Sequence, residues 1–343
     1  MEHGEAQTPI KSPFGHYTKS MEIIKNVDLR GKTAVITGGH TSIGLWTTKA
    51  LSKAGARVIV LARNMKRAKR HLRNMPNVSI IHFDLLNPPS IDAAADKVMQ
   101  CAEQIHILVC SAGIIGVPLR RDNRGYEYQF ATNYLGHFQL VARLYPALRQ
   151  AKGARVVLVT SRGHKWGGVQ FDDQNFLQTE YTSNRAYAQS KSALSLFTVR
   201  LDELTKKDNV RAFAVHPGPI PSSDLFAESM VGIKSPYAVA LMRAAAKLMR
   251  GLHITGLLNA LRHPQTEDAF KTIQQGAATP VWCATSNLLD GLGGVYCEDC
   301  NIAQAVAGDS DAPYGVRPWA IDPELAEKAW RLGEKMTGIR FDI

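Results

Sequence analysis

The amino-acid sequence predicts a doubly wound α/β fold, in which helices cover both faces of a seven-stranded, mainly parallel sheet. Short β-branched runs alternate along the chain with amphipathic stretches of helical length. These runs are apolar at consecutive positions, as strands buried between two layers of helices must be. A glycine-rich turn follows the first run directly, at a place where such sheets bind phosphate groups.

Six of these runs supply the predicted strands, and right-handed crossovers place them in one sheet. They occupy 33–37, 56–62, 78–83, 105–110, 154–160 and 210–216, and a seventh strand is predicted near 294–296. No internal repeat or linker interrupts this order, so residues 31–343 are predicted to form a single domain. Residues 1–30 are polar, contain proline and lack periodicity, which predicts an extension laid over the surface.

The composition excludes several classes of protein. The chain has 343 residues, of which 45% are hydrophobic and 21% charged, so it is neither collagen-like nor a disordered polymer. Its formal net charge of +11 leaves nucleic acid, an anionic membrane surface and a phosphorylated ligand open at this point. The N-terminus has no apolar run typical of a secretory signal, and no segment reaches the roughly 20 apolar residues of a spanning helix.

The five cysteines indicate a reducing compartment and no metal site. They are odd in number and spread along a long chain, unlike the disulfide framework of a small secreted domain. Cys297 and Cys300 form a CxxC pair, but no second pair follows to complete a four-ligand zinc site. We therefore expect structural or incidental thiols, no bound metal and a cytoplasmic location.

The turn after the first strand predicts a phosphate site. A strand that breaks at glycines and enters a helix points unpaired backbone N–H groups and the positive end of the helix dipole at one place. A plain structural turn is the alternative, because a glycine-rich turn alone is a weak signal. The residues predicted to bind a cofactor here are Gly38, His40, Thr41, Ser42, Ile43 and Gly44.

The end of the second strand predicts which dinucleotide is bound. In a dinucleotide fold this position meets the adenosine ribose, where a carboxylate accepts from the 2′-hydroxyl and a basic residue accommodates a 2′-phosphate. Arg63 and Asn64 stand here with no carboxylate nearby, which predicts NADP(H) rather than NAD. A small anionic ligand then accounts for part of the positive charge and weakens the case for nucleic acid. A solvated helix face is the interpretation for the basic residues that follow, Lys66, Arg67, Lys69, Arg70 and Arg73.

Tyr187 and Lys191 form a candidate proton-transfer pair. They stand four residues apart in AYAQSKSALSLF, whose apolar residues have helical spacing, so both side chains share one face of a helix. The ordinary pKa of tyrosine is about 10, and a nearby ammonium lowers it by favouring the phenolate. Such a phenol can exchange a proton with a carbonyl or alcohol oxygen while a nicotinamide exchanges hydride. For this pattern in isolation, a solvated helix face is the alternative.

Several short motifs occur in a fixed order over about residues 27–340. They are TGGHTSIG (37–44), ARN (62–64), FDL (83–85), CSAG (110–113), FATNYLGHF (130–138), VTS (159–161), YAQSK (187–191) and HPG (216–218). With these motifs the chain resembles the short-chain dehydrogenase/reductase family, which has a Rossmann fold. Within the family it is similar to the branch of retinol-dehydrogenase-like, light-dependent protochlorophyllide-reductase-like and WW-domain-oxidoreductase-like proteins.

The resemblance implies roles for four residues. Tyr187 is the implied general acid/base, and Lys191 is expected to lower its pKa and bind the nicotinamide ribose. Ser161 is expected to hydrogen-bond the substrate oxygen, and Asn133 to hold a water relay behind Lys191. A strand-end hydroxyl and a helix cap or bridge are the respective structural alternatives for Ser161 and Asn133. The implied cofactor contacts are Asp84 and Leu85 at the adenine, Cys110, Ala112 and Gly113 along the cofactor, and Pro217, Gly218 and Ile220 near the carboxamide.

The chain departs from the usual family pattern at three places. Ser42 stands at the middle glycine of G-x-x-x-G-x-G, where a positive φ would carry a strain of about 1–3 kcal/mol and weaken cofactor binding. The usual NNAG is CSAG here, which removes an amide that ties the fourth strand to its neighbours and should reduce local rigidity. The usual P-G-x-x-x-T contains two added prolines, Pro219 and Pro221, with Ser222 in place of Thr, which predicts a stiffer nicotinamide clamp.

Residues 222–267 form an insert-like segment next to the clamp. Its apolar residues recur at helical spacing and basic residues lie between them. The apolar set comprises Val239, Met242, Leu248, Met249 and Leu252. We interpret this segment as a lid over a large apolar substrate. Core packing or a subunit contact, and peripheral membrane attachment, are the alternatives.

The sequence thus predicts an NADP(H)-dependent oxidoreductase that interconverts a carbonyl and an alcohol on a bulky lipophilic substrate. Reduction of an activated C=C bond is the nearest alternative, because the same tyrosine–lysine pair can protonate carbon. A protein that binds NADP without turnover, as a sensor or scaffold, is the alternative from another class. No nucleic-acid partner is expected, and the assembly state is left open, with a homodimer as one alternative.

Overall fold

A computed structural model describes residues 7–223, 244–245, 247–248, 254–262 and 268–343. Its central sheet has the strand order β3-β2-β1-β4-β5-β6-β7-β8. The strands are β1 (Thr33–Thr37), β2 (Arg57–Ala62), β3 (Val78–His82), β4 (Ile107–Cys110), β5 (Arg155–Val159), β6 (Arg211–His216), β7 (Val295–Glu298) and β8 (Asn301–Ile302). Reversal of the strand order beside β1 places the first and fourth strands side by side, which opens a crevice at their carboxyl ends.

The predicted doubly wound fold is confirmed, with eight strands rather than seven. Strands β1 to β7 pair in parallel, whereas β8 pairs antiparallel with β7 through Cys297↔Ile302 and Glu298↔Asn301. The eighth strand escapes prediction because it has only two residues, too few to show an alternating pattern.

Helices lie on both faces of this sheet. They are α1 (Ser20–Ile23), α2 (Ser42–Lys53), α3 (Met65–Leu72), α4 (Pro88–Cys101), α5 (Tyr128–Phe130), α6 (Gly136–Gln150), α7 (Ser183–Thr205), α8 (Ile254–Arg262), α9 (Ile273–Gly276), α10 (Ala278–Thr285) and α11 (Pro323–Thr337). A π-helical turn, Ala131–Leu135, joins α5 to α6.

Successive residues of each strand pack into two different cores. Val35 belongs to the core formed with α4, α6, α7 and α11, whereas its neighbours Ala34 and Ile36 belong to the core formed with α2, α3 and α10. All three side chains are fully buried. This two-sided burial is the physical reason for the uninterrupted apolar runs in the sequence.

The N-terminal segment is built into the end of the sheet rather than only laid over it. Gln7 is buried, and its Nε2 donates to Tyr296 O (2.9 Å) and Ala303 O (2.6 Å). Its Oε1 accepts from Tyr296 N (2.8 Å). A polar residue can be buried here because both the donor and the acceptor of its amide are paired with backbone groups.

Most of the predicted lid, 222–267, lies outside the described residues, including Val239, Met242, Met249 and Leu252. Its described helix α8 is joined to the domain by Asn259, whose amide pairs with both backbone groups of Phe270 at 2.9 and 2.8 Å. Leu257 and Leu261 of α8 are exposed. No helix among the described residues has the combination of length and apolarity that crossing a bilayer requires.

Candidate active site

Tyr187 and Lys191 lie in the first turns of α7, as their spacing predicts. Thr182 caps this helix, since its side chain accepts from Arg185 N. Both side chains are buried, and Lys191 Nζ lies 5.7 Å from the centroid of the Tyr187 ring. The ammonium donates to Val159 O at 2.8 Å. Helix α7 therefore places the pair against the carboxyl end of β5.

Ser161 follows β5 and meets Tyr187 from the sheet side. Its Oγ accepts from Gly163 N (3.0 Å), which leaves the hydroxyl proton available to donate. The Ser161 hydroxyl lies beside the Tyr187 phenol and acts to lower its pKa. The expected contact of Ser161 with the substrate oxygen stays a prediction.

Asn133 lies in the π-helical turn, where its side chain bridges two elements. The amide Nδ2 donates to Ile114 O and to Ser190 Oγ, both at 3.0 Å, and Oδ1 accepts from Ile114 N at 2.9 Å. A Cβ built on Gly113 would come 3.0 Å from Asn133 Oδ1 and 3.6 Å from Lys191 Nζ. The structure therefore brings Asn133 close to Lys191, while the bridge between the loop after β4 and helix α7 is also present.

The glycine-rich turn after β1 is tightly packed at two positions where a side chain would clash. A Cβ at Gly44 would lie 2.4 Å from Gly38 O, and one at Gly38 would lie 3.2 Å from Ala112 Cα. Gly38 also has φ +67°, which favours glycine. Backbone from this turn and from the loop after β4 thus meets at van der Waals distance, so larger residues at these two positions would force the segments apart.

The remaining residues of the turn begin helix α2. Ser42 has φ +41°, so the expected positive φ is present at a non-glycine residue. His40 is buried, and its carbonyl accepts from His71 Nδ1 at 2.7 Å. Thr41 stands at the N-cap position of α2, and the carbonyl of Ile43 accepts from Thr47 Oγ1.

Arg63 and Asn64, the two residues that follow β2, differ in their contacts. Arg63 is exposed at the carboxyl end of the strand, where the ribose of a dinucleotide would lie. Asn64 instead caps helix α3, because its Oδ1 accepts from Arg67 N at 2.9 Å. The sequence analysis did not consider this capping role, although an asparagine directly before a helix is a known signal for an N-cap.

The predicted adenine and nicotinamide contacts lie along the same edge of the sheet. Asp84 Oδ1 accepts from Leu86 N (3.1 Å), and Leu85 is buried with its carbonyl against Gly136. Cys110 ends β4 and is fully buried. At the other end, Pro217, Gly218 and Ile220 follow β6, with Gly218 at φ +88°. The carboxyl ends of β1, β4, β5 and β6 therefore lie side by side at one edge of the sheet.

Comparison with known proteins identifies the family. The model of the short chain dehydrogenase family matches residues 32–230, which is more than half of the chain. The chain belongs to the short-chain dehydrogenase family. A relative described as "Probable oxidoreductase" from Streptomyces antibioticus is 35% identical over 314 residues, covering 90% of this chain and 98% of that protein.

Two further relatives lie in the branch that the motifs indicate. The human protein described as "Retinol dehydrogenase 14" is 30% identical over 330 residues, which cover 91% of this chain and 88% of the relative. The Gallus gallus protein described as "WW domain-containing oxidoreductase" is 32% identical over 313 residues, covering 88% and 69%. The resemblance stated from the motifs is thereby confirmed, and with it a nicotinamide-binding oxidoreductase family.

Burial dominates the electrostatics of Tyr187 and Lys191 in this short-chain dehydrogenase. Burial raises the pKa of Tyr187 to about 12, and the neighbouring Ser161 hydroxyl only partly opposes this effect. Burial lowers the pKa of Lys191 to about 8. The ammonium donates to Val159 O, and its expected lowering of the pKa of Tyr187 stays a prediction.

A buried histidine, His137, joins the end of β1 to Asn133, a link that sequence reasoning missed. Thr37 Oγ1 accepts from Ser111 N (2.9 Å) and Ala112 N (3.0 Å), so its own proton is donated to His137 Nε2 at 3.1 Å. The Nδ1–H of His137 then donates to Asn133 O at 2.9 Å. Burial lowers the pKa of His137 to about 4, which keeps the ring neutral at neutral pH.

This network also supplies a contact at the altered CSAG motif. The usual asparagine amide is absent, but the Thr37 hydroxyl ties the backbone of Ser111 and Ala112 to β1. A histidine four residues after the asparagine in TNYLGH could have suggested the link, because residues at that spacing share one face of a helix.

Proposed function

We propose that this protein is an NADP(H)-dependent oxidoreductase that interconverts a carbonyl and an alcohol on a bulky lipophilic substrate. The supporting observation is the arrangement at the carboxyl edge of the sheet, where Gly163 links Ser161 to the Tyr187 ring and Lys191 Nζ lies 5.7 Å from the centroid of that ring. The glycine-rich turn opens on the same edge. The proposed proton donor and the proposed dinucleotide site therefore share one edge of the sheet.

Tyr187 is proposed as the group that gives a proton to the substrate oxygen in reduction and removes it in oxidation. Bound NADPH supplies the hydride. A pKa of about 12 keeps the phenol protonated at neutral pH, as a proton donor must be before it acts. Ser161 is proposed to hold the substrate oxygen through its hydroxyl, which Gly163 N orients. Lys191 and Asn133 are proposed to return a proton to Tyr187 from behind.

The cofactor fits the residues present. The backbone around Gly38 and Gly44 and the start of α2 would hold the pyrophosphate. Arg63 would face the 2′-phosphate, since it is exposed at the end of β2 and no carboxylate stands at that position. The loop of Pro217, Gly218 and Ile220 would border the nicotinamide.

The lipophilic substrate is supported by an aromatic side chain beside Tyr187. A Cβ built on Gly163 would lie 2.8 Å from Tyr187 Cε1 and 3.2 Å from Trp166 Cζ3, so the two rings flank one glycine. Trp166 nevertheless has 51% of its surface exposed. The name of the human relative, a retinol dehydrogenase, refers to a lipophilic alcohol. A cytoplasmic location, with peripheral membrane contact as the alternative, is proposed with this substrate class.

Product analysis tests the proposal. Purified protein is offered NADPH with a panel of lipophilic aldehydes, ketones and enones, and cofactor oxidation and products are followed. We expect alcohols from the carbonyls, and Tyr187→Phe should abolish turnover by removing the transferable proton while retaining NADPH binding. Saturated ketones from the enones would instead support C=C reduction. Tight NADPH binding without any product would support a sensor, and undiminished turnover by Tyr187→Phe would remove the assigned role.

A further inference from the structure

Lys271 is a fully buried lysine that lies outside the proposed catalytic set. Only 1% of its surface is exposed. Its backbone N–H donates to Pro219 O at 2.8 Å. A Cβ built on Gly218 would come 2.5 Å from Lys271 Cδ, so the stem of the lysine packs directly on the glycine. Lys271 therefore contacts two consecutive residues of the loop after β6.

The ammonium of Lys271 is held in place by the turn between β7 and β8. Lys271 Nζ forms an ion pair with Asp299 Oδ1. Asp299 and Cys300 have φ values of +49° and +56°, which are unfavourable for residues other than glycine. Such a turn persists only where its surroundings fix it, and the ion pair is one of those contacts.

The N-terminal segment completes this cluster. His16 is buried, and its Nδ1–H donates to Asp299 Oδ2 at 3.1 Å. Burial raises the pKa of Asp299, but the hydrogen bond from His16 and the charge of Lys271 outweigh it and hold the pKa below the ordinary value. Gln275 Nε2 also donates to Tyr17 O at 3.1 Å. Residues far apart along the chain thus share one carboxylate.

We propose that Lys271 is a positioning residue for the nicotinamide end of the cofactor site, acting through Gly218 and Pro219. The ion pair with Asp299 fixes the lysine stem, and the stem fixes the backbone of the loop. His16 gives the N-terminal segment a part in this site by holding Asp299. A buried ion pair is seldom more stabilising than apolar packing of the same volume, so stability alone gives little reason for a lysine here. This inference rests on the proposed function.

The experiment compares two ligands that share only the adenosine end. Lys271→Met keeps the length of the stem and removes the charge. We expect it to weaken NADPH binding about tenfold, measured by titration of the purified chain, and to leave the binding of 2′,5′-ADP within about twofold, because that fragment has no nicotinamide. The KM for NADPH should rise by a similar factor. Amide exchange at Lys271 and Ser223, which are bonded to Pro219 O and Ile220 O, should be faster in the cofactor-free variant.

Two further variants separate positioning from general destabilisation. Asp299→Asn should reproduce the NADPH-selective loss, and adding it to Lys271→Met should cause little extra loss, since both remove one interaction. Gln7→Ala is the matched control, because Gln7 anchors the same segment without contacting Asp299. Gln7→Ala should leave the ratio of the affinities for NADPH and 2′,5′-ADP unchanged.

The outcomes distinguish this inference from the proposed cofactor. If Lys271→Met loses affinity equally for NADPH and 2′,5′-ADP, or for neither, the positioning role is wrong. Binding of both ligands by the wild-type chain would still support NADP(H) as the cofactor. If the wild-type chain binds neither ligand, the proposed cofactor is wrong and the inference falls with it.

Discussion

Gly163 lies between Ser161 and the Tyr187 ring, and its lack of a side chain lets both residues approach it closely. Gly163 donates its N–H to Ser161 Oγ at 3.0 Å, and its Cα faces the Tyr187 ring. One glycine therefore orients the serine and also admits the phenol. The sequence does not reveal either contact of Gly163, because a glycine two residues after a serine is compatible with any short turn.

Gly163→Ala should impair turnover. The added Cβ would lie 2.8 Å from Tyr187 Cε1, so either the ring or the turn must move. Displacement of a reacting group by a fraction of an ångström costs on the order of tenfold or more in rate, and we expect kcat to fall by at least about tenfold.

Gly168→Ala provides the control for this change. Its Cβ would contact Trp319 at 3.5 Å, which is an ordinary van der Waals distance. Steady-state kinetics of both variants, with NADPH affinity measured alongside, check the prediction. Equal kcat values for Gly163→Ala and the wild type would show that the two rings accommodate the methyl group.

At the scale of elements, strand ends and helix starts bring the site together. At the end of β2 and the start of α3, the adjacent residues Arg63 and Asn64 have different contacts. Arg63 extends from the strand end, whereas Asn64 is bonded to the first turn of α3. The sequence grouped both with the 2′-phosphate, because the pattern alone does not show that Asn64 caps the helix that begins at Met65.

Arg63→Ala and Asn64→Ala should therefore differ. Arg63→Ala should weaken NADPH binding by about 1.5–3 kcal/mol, the usual range for a hydrogen bond to a charged group, and leave NADH nearly unchanged. Asn64→Ala removes a helix cap, which lowers the free energy of unfolding by about 1 kcal/mol. It should change the affinities for NADPH and NADH to the same extent. Titration with both cofactors and urea denaturation measure these effects. Equal losses of NADPH and NADH affinity in Arg63→Ala would contradict the assignment.

For the whole molecule, the C-terminal helix α11 stabilises the helix that contains Tyr187 and Lys191. Trp330 of α11 stacks on Phe197 of α7, with ring centroids 5.6 Å apart and planes inclined by 30°. It also meets Phe138 at 5.4 Å and Phe341 at 4.4 Å. This aromatic cluster joins α7 to α6 and α11 within one hydrophobic core.

Trp330→Ala should lower the free energy of unfolding by about 3–5 kcal/mol, because it leaves a cavity among buried rings. That loss is a large part of the usual stability of about 5–15 kcal/mol, so the midpoint of urea denaturation should fall markedly. Trp330→Phe, which refills most of the space, should cost less. The kcat of the folded fraction should change little, since Trp330 is outside the proposed site. A denaturation midpoint like that of the wild type would show that α11 adds little to stability.

The sequence by itself determined the sheet and the family, and it predicted the edge of the sheet at which the candidate site lies. Strand runs, the glycine-rich turn and the YAQSK and CSAG motifs are local patterns, and local patterns follow from periodicity and from the conformations that each residue type allows. The strained φ at Ser42 was predicted for the same reason, because it depends on one position in one turn.

Only the tertiary structure decided which polar groups meet. Thr37 and His137 are 100 residues apart, and His16 and Asp299 are 283 apart, yet each pair is joined by a hydrogen bond. The raised pKa of Tyr187 likewise depends on its burial between distant segments rather than on Lys191 beside it in the helix. Contacts between distant segments leave no periodic pattern in the sequence. They form because folding removes polar groups from water, and a buried polar group is stable only when it is hydrogen-bonded.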